Sequence, residues 1–274
     1  MGKREREHEE PEAKEDSKNM DQMDKVLEHL KKQLTEANKL LLTMADTNSY
    51  RLVKSGKDVG EIVLTWRLKR PDFVAEPIIQ TDDDCWAHAL AGGMTAAMKQ
   101  LGRTGNFPTA EELISRIDAN LLSATKALPR VEDAAPMLRQ YYNCELVVHH
   151  RPKLSLVEKN KDFEKFIERR LATGQVAMCF PYLAGYARFS QDLPTEKKKA
   201  VFRPSVADIQ QLRNEKIDDH CSVITGRGMV LKNGELVEFF EIQETRGKYF
   251  ADGGCTRLER YKGIVTEVYE FKFL

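Results

Sequence analysis

A cysteine placed to open a helix is the strongest chemical signal in this chain. Ile79-Gln80-Thr81-Asp82-Asp83-Asp84-Cys85-Trp86-Ala87-His88-Ala89-Leu90 reads as a tight acidic loop followed by an alanine- and glycine-rich helix running to about Gln100. The first N–H groups of a helix have no acceptor within it, and the dipole is positive at that end; both favour thiolate over thiol. The plain alternative is a small apolar cysteine buried where a helix meets the core. Gln80, five residues earlier, adds a side-chain amide able to donate to an oxyanion formed by thiolate attack. The aspartates oppose this chemistry. At roughly 6 Å and an effective dielectric of about 40 to 80, each disfavours the thiolate by about 0.7 to 1.4 kcal/mol, unless one serves as the helix N-cap.

Trp66-Arg67, then Gln80, Cys85 and Trp86, in this order, resemble the start of the mature domain of papain-like cysteine peptidases. The resemblance implies a two-lobed α+β fold, a helical lobe followed by an antiparallel β lobe. It also implies hydrolysis of peptide or isopeptide bonds in a polypeptide substrate, with no cofactor. Residue 220 lies 135 positions after residue 85, in line with the separation of that family's cysteine and histidine, so His220 is the expected base. The competitors are His88, one helical turn from Cys85 at an apolar position, and His149-His150, expected in a surface loop.

The third member departs from the family pattern. Ile242 to Gly254 resembles the family's Asn-Ser-Trp-Gly segment, with Glu244 where asparagine is usual and Arg246 in place of the shielding tryptophan. A glutamate would orient the imidazole and add a charge that stabilises imidazolium. Strand geometry leaves a second possibility. If Asn233-Gly234 is a two-residue turn with Lys232 facing Glu235, strict pairing puts Gln243, not Glu244, on the face of His220. One bulge, at Gly226 or Gly228, reverses this. The expected site is therefore Cys85, His220, Glu244 and Gln80, with Gln243 as the alternative orienting amide.

These residues need elements to hold them. Glu61 to Arg67 opens the catalytic body, and Thr109 to Glu112 is a capping box that starts a short helix. Further helices are expected over Val131 to Tyr142 and about Asp162 to Ala172. Strands follow at Gln175 to Phe180, at His220 to Gly226 and at Leu236 to Ile242, with a polar loop at Gln191 to Lys199. The stretch Leu121 to Leu128 stands where the family carries glycines that let substrate pair with the backbone; it has none.

Ahead of residue 61 the composition changes. Residues 1–19 are charged or small and are expected to be disordered. Met20, Met23, Leu27, Leu30, Leu34, Ala37, Leu41 and Met44 form an a/d heptad seam, giving a coiled-coil-like helix over 20–46 and a polar linker over 47–60. The seam can pair with a coiled-coil partner or a second copy, or lie on the protein's own body. An inhibitory pro-helix ranks lowest, because the family's interspersed Glu, Arg, Phe and Asn pattern is missing.

With 43 basic and 43 acidic residues, nothing points to a nucleic-acid surface or a membrane patch. The polar start has no apolar signal region, and no run spans a bilayer, so a cytoplasmic or nuclear protein is expected. Cys85, Cys144, Cys179, Cys221 and Cys255 are an odd set with no zinc spacing. The family's second cysteine, three residues before the nucleophile, is Asp82 here, so no disulfide scaffold is expected. Two other readings use the same residues: a catalytically weak or inactive binding module that works through its N-terminal helix, and a cysteine-based transferase.

Overall fold

A computed structural model describes residues 50–51, 59–153, 157–191, 200–213, 217–232 and 235–274. The charged tail and heptad helix expected over 1–46, and most of the loop at Gln191 to Lys199, lie outside these residues, as do Asn233 and Gly234.

The described chain opens with β1 (Tyr50–Arg51), antiparallel to β2 (Val59–Thr65), so part of the stretch read as a linker is strand. Helix α1 (Trp66–Lys69) leads into a 3-10 turn at Pro71–Phe73, and then the acidic loop reaches α2 (Cys85–Gln100). Next come α3 (Ala110–Arg116), 3-10 turns at Ala119–Leu121 and Val131–Ala134, and α4 (Ala135–Tyr142). The second half alternates strands with short helices: β3 (Cys144–His150), α5 (Val157–Leu171), β4 (Val176–Pro181), α6 (Ala184–Gln191), β5 (Val201–Phe202) and α7 (Val206–Gln211). It closes with β6 (Asp219–Lys232), β7 (Glu235–Gln243), β8 (Cys255–Glu259) and β9 (Glu267–Phe273). The helical half thus precedes the sheet half, as the sequence implies. Among the described residues no helix is long and apolar enough to cross a membrane.

Helix α2 is buried nearly all round, which is why it is built from alanine, glycine and a few large apolar residues. A Cβ on Gly93 would stand 2.5 Å from the Phe271 ring and 2.8 Å from the Ala177 Cβ, so only glycine lets the helix lie this close to the sheet. The helix ends at Leu101, followed by Gly102 at φ 70°, a left-handed residue that stops the helical repeat. Helix α3 starts on the expected capping box: Thr109 Oγ1 accepts from the Glu112 N–H at 3.2 Å, and Glu112 reaches back to the Thr109 N–H at 3.4 Å.

The strands run in the order β3-β9-β4-β6-β7-β8-β5, with β2 beside the far half of β6. Alternation along β4 and β6 feeds two cores. Ala177, Cys179, Cys221 and Val223 face the cluster around Trp86, Leu90 and Leu138. Met178, Phe180 and Ile224 face the cluster around Trp66, Ile167, Phe240 and Leu258. The central strands are buried on both faces, which positions anything mounted on them firmly.

β6 and β7 pair from Lys232↔Glu235 to Gly226↔Glu241, and then the register slips by one residue at Thr225, giving Ile224↔Ile242 and Val223↔Gln243. A Cβ on Gly226 would sit 2.4 Å from the Leu64 carbonyl oxygen, so glycine permits the close approach of β2 beside this bulge.

Two expectations need correction. His149 and His150 are not in a loop; they are the last residues of β3. Cys179 and Cys221 are not free thiols but a disulfide, because β4 and β6 place them directly opposite each other. Cys85, Cys144 and Cys255 are free. The bridge closes a separation of 42 residues, so reduction is expected to cost roughly 2–4 kcal/mol of unfolding free energy. Peptide mapping without reductant should recover the two cysteine peptides linked, and recovery of two free thiols would remove the bridge.

Candidate active site

Cys85 is the first residue of α2, and Asp84 holds the N-cap position without a side-chain cap bond. The Cys85 sulfur accepts the N–H of Cys221 at 3.4 Å. A donor aimed at sulfur favours the anion, and nothing in the sequence marks it, since any residue but proline at 221 offers the same backbone group.

One of the three aspartates is answered by a cation. Asp82 pairs with Lys126 at 2.6 Å, and Asp84 stands 3.5 Å from His88 Nε2 one turn along the helix. His88 is therefore partner to the N-cap residue; burial lowers its pKa, with Asp84 and Glu111 pulling the other way. The Asp83 N–H donates to Thr125 O at 2.8 Å, tying the loop to the glycine-free stretch. That stretch closes on itself: the Ser123 N–H donates to Ala127 O at 2.9 Å, and Lys126 takes φ 62°. Its Lys126 carbonyl in turn accepts the Trp86 indole N–H at 2.9 Å.

His220, near the start of β6, bonds through Nε2 to Glu244 Oε2 at 3.0 Å. That leaves Nδ1 for the Cys85 sulfur, whose charge and side chain act on the ring. The rings of Phe180 and Tyr182 stand edge-on to it at 5.4 and 5.6 Å. Burial works to lower the His220 pKa, but the Glu244 charge and the hydrogen bonds to Cys85 and Glu244 outweigh it and carry the pKa up to about 10. Burial pushes the Glu244 carboxyl up, yet His220, Tyr186 and Arg246 bring it below its ordinary value.

The bulge at Thr225 decides which residue meets His220. It puts Glu244, fully buried, on the histidine's face, while Gln243 turns away and donates to Ala75 O at 2.6 Å. Tyr186, on α6, donates its hydroxyl to Glu244 and lies 2.9 Å from Thr256 Oγ1. Sequence reasoning missed Tyr186; its spacing of four from Tyr182 is the only local signal. Arg246 lies against Tyr182 and Phe250, where the family places tryptophan.

Gln80 lines the same cleft. Its Nε2 donates to Asp82 O at 2.7 Å and its Oε1 accepts from Thr245 Oγ1. One amide N–H is thus committed to the loop, and the second is available. Segments 78–80 and 245–247 are held together by Gln80 N–H to Thr245 O at 2.9 Å and Gly247 N–H to Ile78 O at 2.7 Å. Cys85, His220 and Gln80 share a cleft of about 1080 Å³ that Trp86, Cys221 and Arg246 also line.

This architecture is the papain-like cysteine protease fold, in a divergent sequence. Among solved structures, SERA5E from Plasmodium falciparum aligns at TM-score 0.55 and 11% identity, over 75% of this chain and 94% of that one. A digestive procathepsin L 3 of the Tenebrio molitor larval midgut aligns at TM-score 0.53 and 14% identity, over 80% and 70%. The proform of Amb a 11, a cysteine protease and ragweed pollen allergen, aligns at TM-score 0.50 and 14% identity, over 81% and 68%. No family profile and no curated protein matches the chain. The likeness lies in the fold.

Proposed function

We propose that the protein is a cysteine-type peptidase that hydrolyses peptide or isopeptide bonds. The observation that carries this reading is a cysteine at the N-terminus of a buried helix, interacting with a histidine whose Nε2 meets a buried carboxylate. Cys85 attacks the scissile carbonyl, and His220 gives its proton to the leaving amine and then activates water. The Cys85 N–H, with the second amide N–H of Gln80, holds the oxyanion. Glu244 orients His220 and keeps it charged. Asp83, Glu132, Asp218, Asp219 and Glu267 outnumber Arg130 and Arg246 in the cleft lining, which favours substrates with basic side chains.

A non-catalytic binding module is favoured by two observations: the bond from Gln80 to Asp82 O and the self-closed stretch 123–127, which offers substrate no extended edge. In either case the heptad seam over 20–46 would recruit a coiled-coil partner or a second copy.

Alkylation by iodoacetamide, followed by mass spectrometry at each cysteine, separates the readings. Burial pushes the thiols of Cys144 and Cys255 up to about 12, so neither competes near neutral pH. Cys85 should label selectively, and His220→Ala should slow it by about 10²-fold, because the imidazole that takes the thiol proton is gone. Labelling of Cys85 that ignores His220 would remove the hydrolase and leave the binding module.

A further inference from the structure

We propose that Glu132, His150 and Glu267 form a binding site for a divalent transition-metal ion, with Zn²⁺ the best fit. One ligand atom from each lies within 4.8 Å of the other two. His150 Nε2 stands 3.4 Å from Glu132 Oε1, and its Nδ1 stands 3.2 Å from Glu267 Oε1.

The backbone holds the three in place. His150 ends β3 and Glu267 begins β9, and the two are direct cross-strand partners. Glu132 sits in the 3-10 turn whose neighbours Val131 and Ala134 are packed in the core. Tyr269 donates its hydroxyl to Glu267 Oε2 at 2.8 Å, which leaves Oε1 for the histidine side and fixes the carboxylate as outer-shell partners of metal ligands do.

The charges call for a cation. The two carboxylates share His150 as ion-pair partner, and even a protonated imidazole leaves one negative charge over. A dication with neutral imidazole leaves none. A single ion takes one ring nitrogen, so the exposed His150 ring turns to bring that nitrogen toward both carboxylates, and one imidazole with two carboxylates then suits zinc with a water in the fourth position. No sequence motif announces the site, because its ligands come from three separate elements. Glu132 and Glu267 also line the cleft, so a bound metal stands at its wall.

The full chain carrying Cys85→Ser, which removes the cleft thiolate as a competing ligand, is titrated with Co²⁺ and then Zn²⁺. One equivalent of Co²⁺ should bind with visible d–d bands and no thiolate charge-transfer band, and Zn²⁺ should displace it. Adding His150→Ala should weaken binding at least about tenfold, and Glu132→Gln, a near-isosteric change at a half-buried position, should weaken it with the fold intact by circular dichroism. The site is excluded by failure to saturate up to about 1 mM metal, by a thiolate band, or by binding that neither substitution changes.

Discussion

In Glu244→Gln, the rate of Cys85 alkylation by iodoacetate falls away at a pH about two units lower than in the wild type. Iodoacetate is an anion, so its attack is helped while His220 is imidazolium and slows when that proton leaves. In the wild type the proton leaves at about 10, burial having been outweighed by the Glu244 charge and by the bonds to Cys85 and Glu244. Glutamine keeps an acceptor for the ring and removes the charge, which at this buried position is worth on the order of two pKa units.

Stability follows the same sign. A folded pKa raised above the free histidine value contributes stability fully present below about 6.5, and lost as pH rises through about 10. The variant should lose that contribution at lower pH. Tyr186→Phe, which removes only the hydroxyl donor to Glu244, should move the profile less. An unshifted alkylation profile in Glu244→Gln would show that its charge does not hold the imidazolium.

Arg67→Ala is expected to cost about 3–5 kcal/mol in urea denaturation, although Arg67 is partly exposed, because it strands a buried charge. Glu241 is fully buried, and Arg67 meets it twice, through Nε at 3.2 Å and Nη2 at 2.7 Å. Thr65 and Thr225 complete the set at 2.7 and 3.1 Å. Burial pushes the Glu241 carboxyl up, but the hydrogen bond and charge of Arg67 hold it below its ordinary value. A depressed carboxylate contributes stability above its unfolded pKa and loses it as pH falls through the folded one. Arg67→Ala should therefore also flatten the acid side of the stability curve.

Replacing both partners, in Arg67→Leu with Glu241→Leu, should recover part of the loss, since no charge is then left unpaired. A single substitution within about 1 kcal/mol of wild type would show that the threonines alone satisfy Glu241. The pair matters for the site because Glu241 lies on β7 three residues before Glu244. The Trp66-Arg67 dipeptide anchors the strand that delivers the histidine's partner.

Much of the site was legible in the sequence because its signals are local. The acidic loop, the alanine-rich run and the small residues of α2 predict a buried helix opening at Cys85. Thr109 and Glu112 announce the next helix, and Lys232 faces Glu235 as the Asn-Gly turn implies. The order of Trp66, Gln80, Cys85 and His220 then implied the fold.

What the tertiary structure decided depends on register between strands that are distant in sequence. The slip at Thr225 chose Glu244 over Gln243, beside Gly226, where only glycine lets β2 approach. Pairing of β4 with β6 set Cys179 opposite Cys221, and pairing of β3 with β9 set His150 opposite Glu267. Packing of α6 under the sheet brought Tyr186 to Glu244. A sequence states which residues alternate along a strand, but a shift of one residue exchanges its two faces, and only the packed neighbours fix that shift.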